Sequence, residues 1–275
     1  KYKSSHSDGN NPPYGVSINY FLKEAAKDIS VSILDAKGTL VKSLEAKGEA
    51  GINRIVWDLR HQEYDFPPLR TKPKDKEWVT LDKEGKRPMF IYDLDIGPGM
   101  SPTLVPPGQY TAVLRVNGKE LRKNIQVLKD PNTKSTLSDI QQQYEFGMKI
   151  YTSVSKCLAL IDEMEQSRAK LLNNTKDLKV AKMALPLEKK IYDIESRIFD
   201  VHQTGARQDI FRNPAKVLER LLAIAKEGQT ASADFPPTDQ QQEVYALLSN
   251  RLQEINRDWE SLKKSLEWKK NGLSQ

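Results

Sequence analysis

A chain of 275 residues, 38% hydrophobic and 29% charged, has room for two ordinary domains and suits a polar, soluble protein with an elongated part. No run approaches the ~20 apolar residues of a membrane-spanning helix, so a membrane span is not expected. The net charge of +6 is spread as 21 Lys+Arg against 17 Asp+Glu in residues 1–133 and 22 against 20 in residues 134–275. A nucleic-acid footprint concentrates its charge on one face or helix, so composition argues against that partner.

The opening KYKSSHSDGNNPPYG has neither an initiator Met nor an apolar signal core. It is read as an internal piece of a longer protein, with residues 1–9 expected to be linker or disordered. From Asn10 the pattern alternates: Val16, Ile18 and Tyr20 fall on one face, Ser17 and Asn19 on the other. That period of two predicts a half-buried strand. ISVSILD (Ile29–Asp35) and TLVKSLEA (Thr39–Ala46) predict a hairpin around Ala36-Lys37-Gly38, and GINRIVWDLR (Gly51–Arg60) predicts a strand behind a glycine turn. The pattern then fails. Residues 61–105, rich in Pro, Gly and Lys, form an excursion that holds one strand-like run, MFIYDLD (Met89–Asp95). Such a segment inside a compact domain is functional or loosely ordered. QYTAVLRVNGKELRKNIQVL (Gln109–Leu128) predicts a last hairpin around Asn117-Gly118, a strong short-range hairpin signal.

Past Lys129-Asp130-Pro131 the period becomes 3.6. One apolar stripe runs Leu137, Ile140, Tyr144, Met148, Tyr151, Val154, Leu158, Ile161 and Met164. A second runs from Leu178 to Val201, with Pro186 expected to kink it or to mark its true start. Asn213-Pro214 opens a shorter helix. Thr238 and Gln241 make a capping box for a final one with the stripe Val244, Leu248, Leu252, Ile255, Trp259, Leu262 and Leu266.

The expected architecture is therefore two domains, all-β then all-α. An antiparallel β-sandwich spans 10–131 with a long insertion at 61–105, and an antiparallel helical bundle of three long helices and one short helix spans 134–275. The series NPPYG…INY, D.KG.LVKSL, GINRIVWDLR and PPGQYTAVL resembles the immunoglobulin-like domain of flagellar hook-capping proteins. With DFPPTDQQQEVYALLSNRLQEINRDWESL (Asp234–Leu262) it is similar to the region that follows the β-propeller in sortilin-like, sialidase-repeat (BNR) proteins named glycosyl hydrolases. The resemblance implies a bacterial protein that is secreted, periplasmic or in the cell envelope. It also implies an upstream β-propeller in the same parent chain as partner, and any hydrolase equipment in that propeller.

Chemistry-bearing residues are sparse. His6, His61 and His202 lie in separate segments, and the single Cys157 sits in an apolar helical pattern, so no metal site, cofactor or nucleophile is expected. Asp93 and Asp95 share a strand face and, with Glu84, could serve as a carboxylate pair or as oxygen donors to calcium; an exposed strand edge is the plainer reading. Asp162, Glu163 and Glu165 read as a solvated helix face. The binding candidates are Trp78, Phe90, Tyr92, Asp93 and Asp95, all in the excursion, with Trp268 a further aromatic near the end of the last helix. The functional expectation is a non-catalytic accessory or interaction region. The alternatives are a carbohydrate-binding module stacking sugars on Trp78 and Tyr92, and an accessory domain completing an active site in the propeller.

Overall fold

In a computed structural model of the protein, the described residues are 13–74, 76–89, 101–173, 178–206, 208–229 and 234–272, excepting the side chains of 178, 180, 210, 226–229 and 266–272. The chain divides into two compact units. One is Lys1–Gln62 with Leu104–Asn132; the other is Glu63–Thr103 with Thr133–Gln275.

The first unit holds six strands: β1 (Val16–Leu22), β2 (Ile29–Leu34), β3 (Leu40–Leu44), β4 (Gly51–Trp57), β5 (Gly108–Val116) and β6 (Lys119–Val127). All pair antiparallel, β1 with β4 in one sheet and β3-β2-β5-β6 in the other. The turns follow their residues. Asp35 accepts the backbone N–H of Lys37 (2.9 Å) and Thr39 (2.8 Å), with Gly38 at φ 81°. Asn117 (φ 48°) and Gly118 (φ 79°) supply the two positive φ values that a tight hairpin turn requires. The exposed first half of β6, KELRK, carries charge along the sheet edge, which discourages pairing with another chain.

Trp57 is fully buried among Ile33, Val41, Val105, Tyr110, Ala112 and Val127, with Val16 and Ile18 packed against the same cluster, so both sheets share one apolar core. Its ring meets Tyr110 edge-on at 5.3 Å, and its indole N–H donates to the Arg60 carbonyl at 3.0 Å. Asp58 holds the Lys42 ammonium at 3.0 Å. Leu59 then takes φ 61° and turns the chain out of the sheet, and Val105 N–H donates to the Leu59 carbonyl (2.8 Å) as the chain returns. The excursion is an insertion in sequence, but its described residues from Glu63 to Met89 pack with the helices: Tyr64, Leu69 and Met89 belong to the helical core.

That second unit contains α1 (Leu137–Asn173), α2 (Leu178–Glu195), the one-turn α3 (Asp209–Arg212), α4 (Val217–Gln229) and α5 (Asp239–Gly272). Reciprocal bonds between Thr136 and Asp139 start α1, and the expected Thr238–Gln241 capping box starts α5 (3.2 and 2.9 Å). Two helices are long (37 and 34 residues) and two are shorter (18 and 13), rather than three long and one short. The difference lies in α2. It runs through Pro186 but ends at Glu195, after which the Ile198 N–H bonds the Glu195 carbonyl and the chain turns. The apolar stripes interlock as expected: Ile150, Val154, Leu158 and Ile161 of α1 share a core with Ile191, Leu218, Leu222, Leu248, Leu252 and Trp259.

Candidate functional site

Of the residues singled out from sequence, Trp78 is 66% exposed, with the Lys76 ammonium 5.1 Å from its ring centroid. Phe90, Tyr92, Asp93 and Asp95, like the Trp268 side chain, lie outside the described residues. Glu84 belongs to a turn built on Asp82 and pairs with Lys86 at 2.9 Å. His61 is half-buried and its pKa is lowered by desolvation, against the opposing pull of Asp35. His202 Nε2 shares a hydrogen bond with the Tyr192 hydroxyl at 3.1 Å. Cys157 is buried, which pushes its thiol pKa far up and makes the thiolate inaccessible. Among the described residues no group of three His, Cys, Asp or Glu could hold a metal ion.

The polar centre of the helical unit lies elsewhere, in residues read from sequence as a solvated face. Asp162 is paired with Arg70 at 2.7 Å, Glu163 accepts the Trp259 indole N–H at 2.8 Å, and Glu165 is buried. The correction has a plain origin. Glu165 and Arg168 follow Ile161 by four and seven positions, which puts them in phase with the apolar stripe rather than opposite it.

The buried Arg168 guanidinium meets three carboxylates: Glu165 at 3.0 Å, Glu188 at 2.9 Å and Glu195 at 2.6 Å. Glu165 in turn receives the excursion's backbone. The Thr71 N–H (2.9 Å) and hydroxyl (2.6 Å) donate to it, as does the Arg70 N–H. Arg87, also buried, donates to the Thr71 carbonyl (2.9 Å) and the Gln203 carbonyl (3.0 Å). Lys74 lies 3.8 Å from Glu188 and 3.9 Å from the Tyr192 ring centroid. Beside this cluster opens a cleft of about 570 Å³, lined by Arg70, Lys72, Lys74, Leu81 and Leu172 among others.

Electrostatics sets the protonation of this cluster. Glu195 is fully buried and its Oε1 has no hydrogen-bond partner among the described residues. Burial first, then the Glu165 charge, raises its pKa to about 8 against the pull of Arg168. Glu219, buried where α4 begins, is raised by burial to about 7 although both oxygens accept backbone N–H groups, from Asp200 and Lys216. Chemically, the cluster binds chain to chain: its cations and most of its carboxylate oxygens are committed to internal bonds. No family model, no curated protein and no solved structure matches the chain.

Proposed function

We propose that the chain is a non-catalytic interaction region of a secreted or cell-envelope bacterial protein. In this reading the first unit is an immunoglobulin-like β-sandwich that docks on an upstream β-propeller of the same parent, and the second is an antiparallel bundle serving as a rigid spacer. Two antiparallel sheets sharing one core, followed by helices whose buried charges are bonded internally, support it.

The observation that carries it is the outer face of the β1–β4 sheet. There Phe21 and Ile52 are register partners, 65% and 83% exposed, on a sheet that is two strands wide among the described residues. Paired large apolar side chains in water beside open strand edges are a recognition feature, and burying each contributes roughly 1.5–3 kcal/mol. The test is to produce the upstream region of the parent protein separately and titrate it with this chain by calorimetry. Association is expected, weakened about tenfold or more by Phe21→Glu or Ile52→Lys. No association, or association indifferent to both changes, removes the reading. One observation favours a second reading, a carbohydrate-binding module: the exposed Trp78 ring is a ready stacking surface. Glycan-array binding that disappears in Trp78→Ala would favour it.

A further inference from the structure

The helical unit holds a second cleft, of about 480 Å³, where the turn after α2 faces the start of α4 and one side of α5. Its floor is apolar: Val217 and Ile255 line it and are themselves buried. Four cationic side chains converge on it: Arg197 from the turn, Lys216 and Arg220 from one face of the α4 start, and Arg251 from α5. A single carboxylate, Glu254, shares the lining.

Charge balance separates this cleft from the larger one. In the 570 Å³ cleft Arg70 is paired with Asp162, Arg168 with three glutamates, Lys189 with Asp193, and Lys74 lies beside Glu188, which leaves Lys72 as the one lining cation with no carboxylate partner among the described residues. In the 480 Å³ cleft only Arg197 is paired, with Asp258 at 2.6 Å. Arg220 spends its Nε–H on the Ala215 carbonyl (3.2 Å) and leaves its terminal N–H donors to the cleft. Among the described residues, no carboxylate pairs with Lys216, Arg220 or Arg251. Like charges gathered around an apolar floor repel one another, and that cost is relieved by an anion that accepts from the guanidinium forks.

We propose that this cleft binds a small phosphate monoester, its dianionic head held by Arg220, Arg251 and Lys216 and its organic part resting on Val217 and Ile255. Two charges on one compact head match the two or more uncompensated cations. A volume near 480 Å³ falls in the lower half of the range that encloses small organic ligands. A phosphate ester suits planar, bidentate arginine recognition better than a lone halide or an uncharged polar group would. The site is independent of the β1–β4 docking surface and stands or falls apart from it.

The test is calorimetric titration of the full chain with phenyl phosphate, inorganic phosphate and benzyl alcohol at two salt concentrations. Saturable one-to-one binding of phenyl phosphate is expected, several-fold tighter than inorganic phosphate, with none for the alcohol. Arg251→Glu and Arg220→Glu, both at exposed positions, should each weaken it by about tenfold or more with an unchanged circular-dichroism spectrum. Lys189→Glu, at the other cleft, should leave it unaltered. No saturable binding up to about 10 mM overturns the proposal. Equal affinity for phenyl phosphate and inorganic phosphate overturns the ester assignment. An equal loss in Lys189→Glu shows diffuse charge attraction and overturns the site.

Discussion

Glu195→Gln is expected to change how the protein's stability depends on pH, and the size of the change follows from the carboxyl's surroundings. Glu195 is fully buried, hydrogen-bonded through one oxygen to Arg168, and acted on by the charges of Glu165 and Glu188, with Arg87 also within electrostatic reach. Its pKa rises from 4.5 in the unfolded chain to about 8 in the fold. The folded state therefore binds the proton more tightly, and the stability this brings is full below about pH 4.5 and lost as pH climbs through about 8. At about 1.4 kcal/mol per pH unit, the gap sets a ceiling of about 5 kcal/mol. That gap is already net of the pull of Arg168, and relaxation and water entry around the ionised carboxylate reduce it further, so a net loss of about 2–4 kcal/mol is expected. Gln keeps the shape and cannot ionise. Urea unfolding followed by the helical circular-dichroism signal should show the two proteins within about 1 kcal/mol of each other near pH 5. Near pH 9 the variant should be the more stable by about 2–4 kcal/mol. Glu219 titrates in both proteins and cancels in the difference. A gap that stays constant across this range would refute the reasoning.

Arg168→Met leaves Glu165, Glu188 and Glu195 buried around a neutral side chain and should cost about 3–5 kcal/mol at neutral pH, seen as a lowered denaturation midpoint; a loss under about 1 kcal/mol would show the cluster to be solvated. Replacing residues 63–103 by a short Gly-Ser linker from Gln62 to Leu104 removes Tyr64, Leu69 and Met89 from the helical core. Amide exchange should then quicken across α1 and α2 while β2 and β5 stay protected; unchanged protection in the helices would contradict the assignment of that segment. Gly15→Ala places a Cβ 2.1 Å from the Trp57 carbonyl oxygen at φ +124° and should destabilise the β unit by at least about 2 kcal/mol, measured by near-ultraviolet circular dichroism on heating.

The β unit was legible because its signals are local. Alternation at Val16, Ile18 and Tyr20 marks β1, and Asn117-Gly118 cannot avoid turning. Trp57 as a core residue also follows from its strand. The Thr238–Gln241 box was equally readable, since both partners lie within one turn. The polar cluster was not. Asp162, Glu163 and Glu165 look like a solvated face when their neighbours in sequence are the only context, and their partners (Arg70 for Asp162, Trp259 for Glu163, Thr71 for Glu165) lie over ninety positions away. The signal within reach was phase: Glu165 and Arg168 fall on the stripe of Ile161, and Glu195 follows Ile191 by one helical turn. A charge in phase with an apolar stripe asks for a buried partner of opposite sign.

The excursion shows what such a cluster does that apolar packing would not. Between Glu63 and Met89 regular pairing is limited, among the described residues, to the single bridge of Leu69 with Arg87. Buried there, the backbone N–H groups of Arg70 and Thr71 have no ladder to join, and an unpaired buried donor costs about 1–3 kcal/mol. Glu165 accepts both, and Arg87 donates to the Thr71 and Gln203 carbonyls. The charges therefore take the place of secondary structure. They satisfy backbone groups that a loop leaves open, and they do so at one register only, because Glu165 is held on α1 by Arg168 and Arg87 must reach the Gln203 carbonyl. Leucines at these sites would pack the same space and remove the bonds that four backbone groups receive from Glu165 and Arg87. A slipped strap would meet the same penalty, which is why a segment so poor in hydrogen-bonded structure can lie buried on the helices in one arrangement.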